Sequence, residues 1–100
     1  MTVEVIRAAK ADIAASYRFY EKQQKGLGDY FVESILADAA ELETTGGIHR
    51  KIHGYHHVNS KRFQSILYYR MADETVIISA ILDGRIDPAK QARVLSKRHG

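Results

Sequence analysis

The sequence predicts an α+β domain: an N-terminal strand, an αα-hairpin, then antiparallel strands packing on the two helices, and a C-terminal basic tail or short helix. Three observations predict it. Apolar residues recur at helical spacing from about Lys10 to Thr45, interrupted once by Gly26-Leu27-Gly28. The period falls to two over residues 62–71, then gives way to an unbroken apolar run, TVIISAIL, at 75–82. The length of 100 residues and the hydrophobic share of 45% suit one domain, residues 1–100, with a real core and little surplus.

Residues 2–8, TVEVIRA, alternate β-branched with polar side chains and read as a strand. Ile13, Tyr17 and Tyr20 then share a helical face, with Asp12, Arg18, Glu21 and Lys22 elsewhere. Both tyrosines are expected in the core with their hydroxyls at its boundary. Asp12 is expected in the first turn, where an acid suits the helix dipole. This helix should stop near Lys25, ahead of the glycine loop. A second helix should start with Asp29 as its N-cap. Phe31, Ile35, Ala39 and Leu42 would face inward, and Glu33, Asp38, Glu41 and Glu43 outward. It should end at Thr44-Thr45-Gly46-Gly47, and the short loop makes the two helices antiparallel neighbours.

Residues 48–61 form a basic, histidine-rich connection with a short strand at Tyr55–Val58. Over 62–71, Phe63, Ser65, Leu67, Tyr69 and Met71 share one strand face. Arg62, Gln64, Ile66, Tyr68 and Arg70 share the other, so one of the two adjacent tyrosines should be core and its neighbour on a binding face. Ala72-Asp73-Glu74 is the turn. The next run is apolar on both faces, as a central strand would be. Two apolar strands would then deliver Arg62 and Arg85 to the same sheet edge.

Charge is blocked along the chain. Residues 1–45 carry a net −3, residues 46–70 carry +5 with no acid, and residues 85–100 carry +4. Such asymmetry suits a polyanionic or acidic partner, or equally a solubilising surface. With no cysteine, the chain has no disulfide, thiol nucleophile or thiolate metal site, which fits a cytoplasmic location. No apolar run approaches the ~18 residues of a membrane span. The N-terminus carries acids and lacks a continuous apolar stretch, so it is not expected to be a secretory signal. His49, His53, His56 and His57 raise the question of a metal, but glycines at 46, 47 and 54 argue against a helix and no acid lies nearby in sequence. They read as surface histidines that add charge at mildly acid pH, and no metal site or cofactor is expected.

Three segments in order carry a resemblance. They are the helix pair around Gly26-Leu27-Gly28 with Tyr20-Glu21 before and Phe31 after, the strand Arg62-Phe63-Gln64-Ser65-Ile66-Leu67-Tyr68-Tyr69-Arg70, and Ala80-Ile81-Leu82-Asp83-Gly84-Arg85 followed by Asp87-Pro88. Together they resemble the ParE/RelE superfamily of toxins from bacterial type II toxin–antitoxin modules, over nearly the whole chain. Gln64 stands where the family often has proline, and Asp83 where it often has histidine.

The resemblance implies one of two activities. RelE-like members are metal-independent, ribosome-dependent mRNA endonucleases, whose cations stabilise a phosphorane-like transition state. The matching set here is Arg62, Arg85 and Lys51, with Arg50 adding charge. The family's tyrosine beyond the second arginine is missing, and Asp87 in that region repels phosphate. His99, the penultimate residue, is expected to be mobile rather than poised. ParE-like members inhibit DNA gyrase by binding it, and this branch fits better. Its implied contact residues are Arg62, Tyr69, Arg85 and Arg93. Alternatively the two arginines pair with Glu74, Asp83 or Asp87 as surface ions. The implied partner is a cognate ParD-like antitoxin that folds onto the toxin as a hetero-oligomer and reads operator DNA itself. A degenerate, non-toxic antitoxin-binding member is a further alternative.

Overall fold

The computed structural model describes residues 1–98. Its elements run β1 (Thr2–Val5), α1 (Arg7–Gln23), α2 (Leu27–Thr45), β2 (Lys51–Ile52), β3 (Tyr55–Asn59), β4 (Ser65–Ala72), β5 (Thr75–Asp83) and α3 (Pro88–Lys97). The strands form one sheet in the order β1-β5-β4-β3-β2. β1 pairs parallel with β5, and the other neighbours are antiparallel. The α1–α2 hairpin covers one face of the sheet and α3 the other.

Burial on both faces explains the unbroken apolar run of β5. Val76, Ile78 and Ile81 pack with Phe31, Ile35, Leu42, Leu67 and Tyr69 under the hairpin. Ala80 and Leu82 pack with Tyr55, Tyr68 and Leu95 under α3. Each large apolar side chain so buried contributes about 1.5–3 kcal/mol. A register shift opposite Tyr68/Tyr69 leaves Ser79 as the extra residue of a bulge, which moves the hairpin-facing set from even to odd positions.

Local signals misplace several boundaries. The first strand stops at Val5, because Ile6 already serves as the N-cap of α1. Asp12 therefore lies in the second turn, not the first. α2 begins at Leu27 with Gly26 as N-cap at φ 89°, a left-handed conformation suited to glycine, so Asp29 is inside the helix. Its neighbour Gly28 sits where a Cβ would come 2.7 Å from the Tyr17 ring, which is how closely the helices approach. Glu21 closes this junction by accepting from the amides of Gly26 and Gly28. Tyr17 and Tyr20 are half-buried. Asp38 does not face out: it is buried, and its Oδ1 accepts from the Lys61 amide at 3.4 Å.

The strand expected from residue 62 starts only at Ser65, so Arg62 lies in the bend before it. The histidine-rich connection holds a further hairpin, β2–β3, turned by His53 and Gly54 at positive φ. The C-terminal segment is a helix. Asp87 caps it by accepting from the Ala89 amide at 2.9 Å, and Pro88 occupies its first turn, where no donor is needed.

Candidate functional site

Arg62 and Arg85 reach the same end of the sheet. Ser65 pairs with Asp83 there, and the Gly84 amide donates to the Gln64 carbonyl at 2.6 Å. Arg62 precedes β4 and Arg85 follows β5. Between them lies an aromatic cluster built from both helices and the bend. Tyr20 and Phe63 stack edge-on at 4.8 Å, Phe31 and Phe63 at 5.0 Å, and Phe19 and Tyr20 at 5.2 Å. Tyr30 lies 5.6 Å from Phe63, and the Arg62 guanidinium carbon stands 5.8 Å above the Tyr30 ring.

The bend that carries Arg62 is fastened to α2 at several points. Lys61 donates to Asp38 through its amide and pairs with Glu41 through its ammonium. Ser60 closes the bend by donating to the Ser65 carbonyl at 2.8 Å. Among the described residues Arg62 has no ion pair. A cleft of about 390 Å³ opens beside Phe63, Gln64 and Gly84, and a smaller one of about 200 Å³ lies between Phe19, Tyr20 and Asp83.

Arg85 is engaged. Its Nη2 donates to Asp83 Oδ2 at 2.7 Å, and its Nε and backbone amide both donate to Oδ1. The hydrogen bond from Arg85 holds the Asp83 carboxyl below its ordinary range, and the same bond keeps Arg85 more firmly protonated than usual. The alternative ion-pair role thus describes Arg85, with Asp83 as the partner.

Lys51 is not part of this group. It stands opposite His56, which stands opposite Tyr69, four residues along the sheet from Ser65 and two strands away. At ~3.3 Å per residue and ~4.8 Å per strand this is roughly 16 Å. Arg93 is exposed on α3, and Arg50 is exposed beside β2. His99 lies outside the described residues.

Tyr69 is fully buried and offers no surface for a target. Its hydroxyl accepts from the Gly47 amide at 2.9 Å and contacts His49 Nδ1, and His56 stacks on its ring at 4.9 Å. Tyr68 is also buried, because α3 covers the second face, where Gln91 accepts its hydroxyl hydrogen. Neither tyrosine lies on an open binding face. Burial lowers the His49 pKa, with the neighbouring His56 and His57 adding to the effect. Among the described residues no group of three His, Cys, Asp or Glu side chains is placed to hold a metal ion.

Sequence reasoning missed Phe19, Tyr30 and Glu21. Phe19 and Tyr30 fall off the apolar stripe of their helices, and that misfit was the available signal. The Glu21 contact depends on how the chain turns at Gly26.

No family model and no curated protein matches this sequence. A solved structure does match: a chain of the chromosomal ParDE TA system from P. aeruginosa aligns over 81% of this chain and 92% of that one, with a TM-score of 0.73 and 19% identity. With its strand, helical hairpin, antiparallel sheet and C-terminal helix in this order, the chain has the ParE/RelE-like fold that its motifs implied.

Proposed function

We propose that this chain is the toxin of a type II toxin–antitoxin module, that it acts by binding DNA gyrase, and that a ParD-like antitoxin neutralises it in the cytoplasm. The observation that carries the binding reading is the dispersal of the nuclease set. Lys51 lies far from Arg62 and Arg85, and Arg85 is occupied by Asp83. Cleavage needs cations and a proton carrier converging on one phosphodiester. Binding needs only a shaped surface, and Arg62, the aromatic cluster and the flanking clefts supply one. Support for the module comes from the fold shared with a chain of a ParDE system.

Inducing the chain alone in a bacterial host tests this reading. Growth should stop with induction of the DNA-damage response, and purified protein should inhibit gyrase supercoiling. Co-expression of a small protein encoded alongside should restore growth. Rapid loss of ribosome-bound mRNA with supercoiling untouched would establish the RelE-like nuclease instead. Normal growth at high expression would leave only a degenerate, antitoxin-binding member. Arg62→Ala, on that surface, should restore growth while the protein stays folded.

A further inference from the structure

We infer that the aromatic end of the helical hairpin is the docking surface for an acidic, apolar-anchored segment of the antitoxin, seated on Phe19, Tyr30 and Arg62. The inference rests on the toxin–antitoxin reading and specifies one surface within it. Phe19 and Tyr30 are 52% and 45% exposed although both belong to the ring cluster that ends in the core at Phe31. Exposed rings held rigidly by buried ones lose little entropy on binding, which is the property of interface anchors. The cleft of about 200 Å³ beside Phe19 is below the ~300–1,000 Å³ of small-molecule sites and suits a single inserted side chain.

Charge selects the occupant. Lys22 is one turn on from Phe19, Arg18 precedes it, and both are exposed. Glu21, the acid between them, is turned into the Gly26 and Gly28 amides and is spent there. Arg62 stands over Tyr30 with no acid partner among the described residues. The exposed acids facing them are Asp29, beside Tyr30, and Glu33 one turn further along α2, while Asp83 at the cleft is paired with Arg85. Three cations, Arg18, Lys22 and Arg62, thus stand against two open acids around an aromatic centre, and a carboxylate next to an aromatic or leucine side chain complements that excess.

The test uses the whole chain and a capped dipeptide, acetyl-Glu-Phe-amide, followed by amide chemical shifts in ¹⁵N-labelled protein. Shifts should cluster at Phe19, Tyr30, Arg62 and Phe63. They should weaken severalfold with acetyl-Gln-Phe-amide and vanish with acetyl-Glu-Ala-amide. Phe19→Ser and Arg62→Gln, both surface changes, should each weaken the affinity for the purified antitoxin about tenfold by calorimetry, without altering the folded spectrum. Shifts elsewhere, equal response to the Glu and Gln probes, or unchanged antitoxin affinity in both variants would overturn the inference. Concentration-dependent dimerisation through Phe19, or tighter binding of a dT10 oligonucleotide at the same residues, would also overturn it. A toxic chain whose antitoxin affinity ignores both variants loses this surface and keeps the proposed function. A non-toxic chain whose patch binds the dipeptide keeps the surface and loses the function.

Discussion

Replacing Asp12 should be among the most damaging single changes outside the apolar core. Asp12 projects from α1 to the stretch of β5 beyond Ile78, where β1 no longer pairs with it. Its Oδ2 accepts from the Ile81 amide at 2.9 Å and from Arg98 Nη1, and its Oδ1 accepts from Arg98 Nη2 at 2.9 Å. Arg98 Nη1 also donates to the Ser79 carbonyl at 3.1 Å. The pair thus satisfies backbone groups that the bulge and the end of β1 leave open, and it ties α1, β5 and the end of α3 together. Its side chains are only 15% and 18% exposed. Breaking a buried pair by removing one partner costs ~3–5 kcal/mol, and an exposed pair is worth ~0–1. For this partly buried site, with one backbone amide also left without its acceptor, Asp12→Ala should cost about 2–3 kcal/mol. Arg98→Met should cost about 1–2 kcal/mol, because Asp12 would still accept from Ile81. For a domain this size the first corresponds to a Tm fall of roughly 10–20 °C. Urea unfolding gives both values, and hydrogen exchange at the Ile81 amide reports the local contact. A loss under 0.5 kcal/mol for Asp12→Ala, with Ile81 still protected, would refute the reasoning.

Gly28→Ala should destabilise by about 1–3 kcal/mol despite a helix-propensity gain of ~1 kcal/mol, because the new methyl meets the Tyr17 ring and carbonyl at 2.7–2.8 Å; thermal unfolding checks it, and a stabilised variant contradicts it. His49 titrates below its ordinary value of 6.5 because it is partly buried, so the unfolded chain binds its proton more readily. Its contribution to stability is complete above pH 6.5 and is lost as pH falls through the lower folded value; urea unfolding between pH 7.5 and 5 should show this slope, flattened in His49→Gln. Asp83 likewise contributes fully above its unfolded value of 3.8 and loses that contribution as pH falls through the depressed folded value. Carbon-detected NMR should find its midpoint below 3.8, moving back up in Arg85→Gln.

Much of the fold was legible because hydrophobic period is a local property. The helical hairpin, the β4–β5 hairpin and the interior position of β5 follow from spacing alone. One local signal decides between the C-terminal tail and the short helix that the sequence left open. Asp87-Pro88 is a helix start, with the acid as cap and proline in the first turn, and the charge of Asp87 beside Arg85 obscured it. Recognising that helix would have buried Tyr68, since a strand face becomes core only when something covers it.

Other features are beyond any local pattern. Asp38 sits on the polar side of its helix by spacing, yet the bend at Ser60–Lys61 closes over it. Tyr69 looked available because alternation assigns residues to faces and is silent on which face is open. Asp12 and Arg98 lie 86 positions apart, and nothing near either one announces the other. Spacing along the chain marks the helical hairpin, the order of the main strands and the shared sheet end of Arg62 and Arg85, but not β2 or the closing of α3 over the second face. Tertiary structure decided which polar groups are spent internally and which remain for a partner. Period acts through neighbours a few residues apart, whereas burial and ion pairing depend on which surfaces meet after the chain has closed on itself.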